Sequence, residues 1–294
     1  MEFMVMSIIG SIVIGFMVGI FFLGLERKVR ARIHWRYGPP LYQPIIDIVK
    51  LFHQGSVSHG FLFEFGILLS IGGAIVSLLF IPIGNVIPLH GSGGLLVVLY
   101  LLLIAPLGIA LSSVEAANPN ASIGISRKFI LAFGYEIPFL LIVLSVMTYY
   151  GTTSFVEIVE LQRTGQWGII SMPFSGIALL LILPAMMGIK PFDQIGAPQE
   201  IASGPEVEYG GVYLALSEIQ HIYLIFIDIA IFVALFMGGG LEPLTFFLKM
   251  LFVFFIIIIV SSVYPRFRIE QAFSYCIKWP TIIAFVGLLI VIWR

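Results

Sequence analysis

The sequence predicts an all-α polytopic membrane protein with about eight transmembrane helices and a short amphipathic helix on the cytoplasmic membrane surface. Three observations carry this. Of the 294 residues, 60% are hydrophobic and 11% are charged, whereas a soluble domain is about 45–50% apolar and about 25% charged. Mean hydropathy is +1.09, and eight apolar stretches approach the roughly 20 residues that a helix needs to cross a bilayer. Finally, the basic residues segregate. Arg27, Lys28, Arg30, Arg32, Arg36, Lys50, Arg127, Lys128, Lys190, Arg266, Arg268 and Lys278 fall in alternate loops, against Arg163, Lys249 and Arg294 on the other side, so twelve of the 15 Lys and Arg share one side.

The expected spans run Phe3 to Leu25, Phe65 to Pro88, Leu95 to Val114, Phe129 to Tyr150, Pro173 to Ile189, Gly211 to Phe236, Thr245 to Tyr264 and Ile277 to Trp293. The first has no basic stretch before it and no small-residue cleavage site after it, and it is too long for a signal segment, so it is expected to be retained. Its Gly15 and Gly19 have the spacing that lets two membrane helices approach closely. Next comes Leu41 to Gln54. Here Leu41, Ile45, Ile48, Val49 and Phe52 share one helical face and Gln43, Asp47, Lys50 and Gln54 the other. This segment is too short to cross and follows Gly38-Pro39-Pro40, which suits a helix lying on the membrane surface. Breaks follow at Pro82-Ile83-Gly84-Asn85 and Gly238-Gly239-Gly240, and the fifth and last spans are short. No repeat at a fixed period is present. Residues 1–294 therefore read as one helical membrane domain, with a first cytoplasmic loop and its amphipathic helix at about 26–58 and an acidic fifth-to-sixth loop at about 190–210. The basic bias places the loops that carry it in the cytoplasm and both termini outside, in the cell membrane.

The chemistry concentrates in the sixth span. Glu218, His221 and Asp228 lie at offsets of 3 and 10, within roughly 80° of one another on a helix. An ionisable side chain at membrane depth costs on the order of 2.5–3.5 kcal/mol or more, and so marks a wet cavity or an ion path. Asp228 has Lys249 of the next span as a possible partner. Glu136 lies inside the fourth span just before Ile137-Pro138, where it either relays charge or braces the proline kink. The fifth-to-sixth loop gathers Asp193, Glu200, Glu206 and Glu208 against a single Lys190, and carboxylates held close together raise one another's pKa. The one cysteine, Cys276, excludes an intrachain disulfide framework, and no Cys/His cluster has the spacing of a zinc or iron–sulfur site. There is no phosphate-binding loop and no nucleophile elbow. Catalysis within the chain, a metal site and nucleic-acid binding all lack candidates.

Four blocks of residues carry a resemblance. Glu26-Arg27-Lys28 with Arg36, Gly38-Pro39, Gln43-Pro44, Asp47 and Lys50-Leu51 is similar to the first signature of the H subunit (subunit 1) of complex I and of related membrane-bound hydrogenases. Glu115-Ala116-Ala117-Asn118 with Arg127 and Tyr135-Glu136-Ile137-Pro138 resembles the family's third-loop to fourth-helix block. Pro191-Phe192-Asp193, Glu200-Ile201, Gly204 and Glu208-Tyr209-Gly210-Gly211 resemble its fifth-to-sixth loop, and Tyr264-Pro265-Arg266-Phe267-Arg268 with Lys278-Trp279-Pro280 its last cytoplasmic loop.

The resemblance implies a noncatalytic eight-helix subunit that joins a soluble redox arm to antiporter-like membrane subunits and couples electron transfer to proton or sodium movement. It implies coupling roles for Glu115, Glu136, Asp193, Glu200, Glu208 and Glu218, which the reading of the residues extends to Glu206, His221 and Asp228. It also implies a soluble-arm interface at Glu26, Arg27, Lys28, Arg30, Arg36, Arg127, Arg266 and Arg268. No cofactor is expected in this chain, and iron–sulfur clusters and a nickel–iron centre are expected in partner subunits. Quinone-reducing members carry an acidic stretch where this chain has Ile195-Gly196-Ala197-Pro198. The departure favours the hydrogenase or sulfane-sulfur-reductase branch over a quinone-chamber subunit of an NADH- or F420H2-type oxidoreductase. The docking-type first loop argues against a stand-alone secondary ion transporter.

Overall fold

The computed structural model describes residues 2–84, 86, 88–89 and 94–293. Asn85 of the expected break and the basic residue Arg294 lie outside the described residues. The helices are α1 (Glu2–Ile33), α2 (Gln43–Phe52), α3 (Phe61–Leu79), α4 (Gly94–Ala116), α5 (Pro119–Tyr150), α6 (Phe155–Thr164), α7 (Gly168–Ser171), α8 (Pro173–Met186), α9 (Pro198–Ile201), α10 (Val212–Phe236), α11 (Pro243–Val263) and α12 (Ile269–Trp293), with a 3₁₀ turn at Gly204–Glu208. Among the described residues, α1, α3, α4, α5, α10, α11 and α12 are long and apolar enough to cross a membrane. The expected fifth span is the 14-residue α8, about 21 Å long at 1.5 Å per residue. Its Ala178, Leu179, Ile182 and Leu183 have no exposed surface. The C-terminal half of α8 is packed among other helices, while Phe174 and Ile177 near its start remain exposed.

Three spans extend past their apolar stretches. Helix α1 continues to Ile33, so Glu26 to Arg32 form its last turns rather than a loop, because Arg, Lys and Ala sustain a helix once it is started. Helix α5 starts ten residues before Phe129. Pro119 occupies its first position and the Asn118 Oδ1 accepts from the Asn120 N–H at 2.8 Å, which together make a strong N-terminal cap. Helix α12 likewise starts at Ile269. The second span instead begins and ends early, at Phe61 and Leu79. Helix α6 was not expected. Glu157, Glu160 and Arg163 interrupt any apolar run there, yet Phe155, Ile158, Val159 and Gln162 are buried at 0, 3, 4 and 7, one helical face.

The surface helix forms as expected. In α2, Pro44 and Ile48 are buried against the bundle, which takes Ile48 off the expected uncovered face, whereas Ile45, Val49 and Phe52, with Leu41 just before the helix, stay uncovered by protein. This leaves an apolar strip for lipid. Asp47 joins α2 to α1 by accepting from Arg27 Nη1 at 2.8 Å and Gln43 Nε2 at 2.9 Å. Burial alone pushes its carboxyl up, but these hydrogen bonds and the two cations Arg27 and Lys50 outweigh burial and hold it below the usual range.

Helix α10 is the axis of the bundle, and every residue from Ile225 to Phe236 is buried. Helices α1, α3, α6, α8 and α11 all pack on it. The α1 contact uses the small-residue spacing noted above: a Cβ on Gly19 would lie 2.5 Å from the Ile222 carbonyl oxygen. At its C-terminus the orphan carbonyls of α10 are met by side chains. Gln162 Nε2 donates to the carbonyls of Ala234 (2.9 Å) and Leu235 (3.0 Å), and its Oε1 accepts from Gly168 and Gly238 N–H, both at 2.9 Å. Lys249 Nζ donates to the carbonyls of Met237 and Gly239, each at 2.6 Å, and lies 4.7 Å from the Trp167 ring centre. Lys249 is therefore committed to this end and does not pair with Asp228, correcting that expectation. Replacing Gln162 with Leu removes four bonds from a buried site and should cost about 2–4 kcal/mol. The measurement is thermal unfolding of the purified protein in detergent, where wild-type stability in Gln162→Leu would contradict the clamp.

Candidate functional site: a series of charged cavities

At its N-terminal end α10 is packed under the acidic loop, whose position is fixed by close backbone contacts. A Cβ on Gly124 of α5 would lie 2.7 Å from Pro205 Cδ, so the 3₁₀ turn rests directly on α5. Ala202, Ser203 and Gly204, leading into that turn, all adopt left-handed backbone (φ of 49°, 78° and 59°). For Ala and Ser this conformation costs about 1–3 kcal/mol each and persists only where the surroundings impose it. Lys128 stands one turn beyond Gly124 on the same face of α5, and Tyr135 and Phe139 continue that face at i+7 and i+11.

Three cavities follow one another from the loop into the bundle. An outer vestibule of about 660 Å³ is lined by His34, Lys190, Asp193, Gln199 and Arg266 among others. A chamber of about 290 Å³ holds Asp193, Glu206, Glu218 and His221, with Arg27 and Lys128 on its walls. A third cavity of about 240 Å³ contains Lys128, Tyr135, Glu136 and Asp228 between apolar walls from α4, α5, α8 and α10. Asp193 is common to the vestibule and the chamber, and Lys128, Gly188 and Ile195 are common to the chamber and the inner cavity. Gln220 and His221 lie on α10 between Glu218 and the depth of Asp228, which is about 15 Å farther along the axis.

The chamber is electrostatically crowded. Arg266 Nη2 donates to Asp193 Oδ2 at 2.8 Å where vestibule and chamber meet. Glu206 sits within the field of Glu218 and Asp193 and of Lys128. Burial first, then the Glu218 charge, push its carboxyl from the ordinary 4.5 up to about 7, against the opposing pull of Lys128. Glu136 accepts no hydrogen bond from any described residue, and its carboxylate lines the inner cavity instead of bracing the backbone at Pro138. Among the described residues no group of three or more His, Cys, Asp or Glu side chains is arranged to hold a metal ion.

The remaining sequence candidates lie outside the series. Glu115 Oε2 accepts from the Phe63 N–H and so caps the start of α3. Glu200 pairs with Arg127 at 2.7 Å on the surface. Glu208 accepts from Asn118 Nδ2 at 2.5 Å and faces His59 at 3.3 Å, so of these two acids of the loop only Glu206 lines the chamber. Of the docking candidates, Glu26 is buried (6% exposed), held by Arg30, and within the field of His221. It presents no docking surface, because the extended α1 carries it into the bundle. Arg30 also reaches Ser261 Oγ at 3.3 Å, Lys28 lies over the Tyr37 ring at 5.0 Å, and Arg36 and Arg268 are exposed. Sequence reasoning missed Lys128 and Tyr135 as site residues. The signal was the shared face of α5, hidden because Lys128 was assigned to a loop.

The NADH dehydrogenase family model matches residues 5–292. Hydrogenase-4 component C of Escherichia coli (strain K12) is 31% identical over 246 residues, 81% of this chain and 77% of that protein. The H subunit of the NADH-quinone oxidoreductase of Protochlamydia amoebophila is 32% identical over 291 residues, 90% of this chain and 89% of the relative. Among solved structures, a chain of the membrane-bound sulfane sulfur reductase, an archaeal respiratory membrane complex, superposes with a TM-score of 0.93. It is 39% identical, with 98% of this chain and 99% of that chain covered.

The Glu206 carboxyl generates a pH dependence. Between pH 4.5 and about 7 the folded protein holds a proton that an unfolded glutamate has lost, so this residue's contribution to stability declines as pH rises through that window. Glu206→Gln cannot ionise. It should be more stable than wild type above pH 7, by a margin that solvent screening of this partly exposed side chain keeps small, with the gap closing toward pH 5. Thermal unfolding across pH 5–8 reads this, and a gap that does not vary with pH would refute it.

Proposed function

The chain belongs to the NADH dehydrogenase family, the H or subunit 1 family, and from that premise we propose that it is the noncatalytic membrane subunit of a complex I-like ion-translocating respiratory complex. The branch is that of the membrane-bound hydrogenases and related sulfur reductases. The observation that carries the reading is the succession of three cavities in which Asp193, then Glu206, Glu218 and His221, then Glu136 and Asp228 stand at increasing depth. Ionisable groups so placed give a charge a series of stations through an apolar medium that otherwise excludes it. Redox events in a partner subunit would alter the field at the vestibule. The carboxyls of the chamber would answer by taking up or releasing protons, and the inner pair would pass the change on toward membrane subunits that move protons or sodium. Iron–sulfur clusters and a nickel–iron centre are assigned to the partners.

The basic side of the chain is assigned to the cytoplasm, with both termini outside, and it is the proposed docking face for the hydrophilic redox arm. Support comes from Arg36 and Arg268, both exposed, and from Trp35 beside Arg36, which is 98% exposed. Exposed aromatic and Arg side chains are the usual anchors of an interface. The exposed apolar faces of the spans meet lipid and the antiporter-like subunits. Ile195 and Gly196 in the chamber wall, where quinone-reducing relatives are acidic, favour the hydrogenase or sulfur-reductase branch over a quinone chamber.

Two outcomes follow. Glu218→Gln in the complex, reconstituted in proteoliposomes, should lower the number of ions moved per electron while electron transfer to an artificial acceptor continues. Pumping at the wild-type ratio would remove Glu218 from the series, and loss of assembly would make it structural. Charge reversal at Arg36 or Arg268 should release the soluble subunits from the solubilised complex at lower salt than wild type, as judged by size-exclusion chromatography. Wild-type salt tolerance in both variants would remove these residues from the docking face.

A further inference from the structure

Lys128 is the one titratable residue, among the described residues, that lines both the chamber and the inner cavity. Its neighbour Arg127 points away, committed to Glu200 at 2.7 Å, but Lys128 makes no direct ion pair among the described residues. On the chamber side it lies within the field of Glu206 and His221. On the other side Glu136 and Asp228 share the inner cavity with it. Gly188 and Ile195, the other two residues common to both cavities, carry no charge, so the junction has a single cation on a flexible four-carbon stem.

We propose that Lys128 is a mobile counter-charge shared by the two sets of carboxylates, and that its position decides which set is ionised. The inference rests on the function proposed above. With the chamber carboxylates ionised, the ammonium is held toward Glu206, and the inner pair, deprived of a cation in an apolar cavity, retains its protons. When Glu206 takes up a proton from the chamber, its attraction for the ammonium falls. The ammonium then turns toward Glu136 and Asp228, and one of these carboxyls gives its proton to the inner cavity. One proton enters on the chamber side and one leaves on the inner side, and Lys128 keeps its own throughout. Lys128 is thus a positioning residue, acting through the carboxylates. Gly124 supports the arrangement by letting the 3₁₀ turn that carries Glu206 settle one helical turn from Lys128.

The test uses the complete complex in proteoliposomes, with ion translocation and electron transfer to an artificial acceptor measured together. Lys128→Met should lose most of the translocation while electron transfer continues, and Lys128→Arg, which keeps a cation that cannot deprotonate, should keep most of it. Wild-type translocation per electron in Lys128→Met would overturn the proposal. Equal loss in both variants would also overturn it, by making the lysine a proton relay instead of a counter-charge. Should Lys128→Met fail to assemble, the double variant with Glu206→Gln removes both charges. Assembly without coupling supports the proposal, whereas restored coupling or continued failure to assemble reduces Lys128 to a structural charge and overturns it. A wild-type complex that moves no ions would defeat the proposed function itself, which separates the two failures.

Discussion

The burial of α10 on all sides is the constraint from which the rest of the structure follows. A helix with neither lipid nor bulk water along most of its length cannot leave a polar group to the solvent. At one end the problem is solved by side chains: Gln162 takes up carbonyls that the helix cannot satisfy itself, and Lys249 those of the turn that follows it. Toward the other end it is solved by space, because Glu218, His221 and Asp228 open onto cavities. The same helix is thereby rigid where it is clamped and polarisable where it is hollowed out. The close approach of α1 at Gly19 and the packing of α8 on α10 serve this end by covering the axis.

The basic residues that orient the chain also do internal work. Arg27 is bound to Asp47, Arg127 to Glu200 and Arg266 to Asp193, while Arg32, Arg36, Lys50, Arg268 and Lys278 are exposed cations on that side. Each of these pairs joins segments far apart in sequence: α1 to α2, α5 to α9, and the loop after α11 to the acidic loop. They are partly exposed, so each adds little to stability. Their effect is positional, since they fix α2 against α1, α9 against α5, and the last loop against the vestibule wall.

The transmembrane class, α2 and the ionisable face of α10 were legible in the sequence because each rests on periodicity or on the cost of charge in lipid, both local properties. Helix ends were less legible. The extension of α1 past Leu25 and the early start of α5 depend on helix propensity and on the Asn118-Pro119 cap, which a search for apolar stretches does not weigh. Those ends mattered for the site. Placing Glu26 in a loop made it a docking residue, and placing Lys128 in a loop concealed the face it shares with Tyr135. Which acids converge was not legible either. Glu206 and Glu208 are two residues apart, yet the 3₁₀ turn sends one into the chamber and the other to Asn118 and His59, a distinction made by tertiary contact alone.

The depth of Asp228 also gives the series an electrical length. From Glu218 to Asp228 is about 15 Å along α10, roughly half of the ~30 Å hydrocarbon thickness. A unit charge crossing the whole membrane exchanges about 2.3 kcal/mol with a potential of 100 mV, so a charge advancing between these two residues exchanges a substantial part of that. On the proposed function, a step from chamber to inner cavity is electrogenic, and a membrane potential acts on it directly, inside this chain.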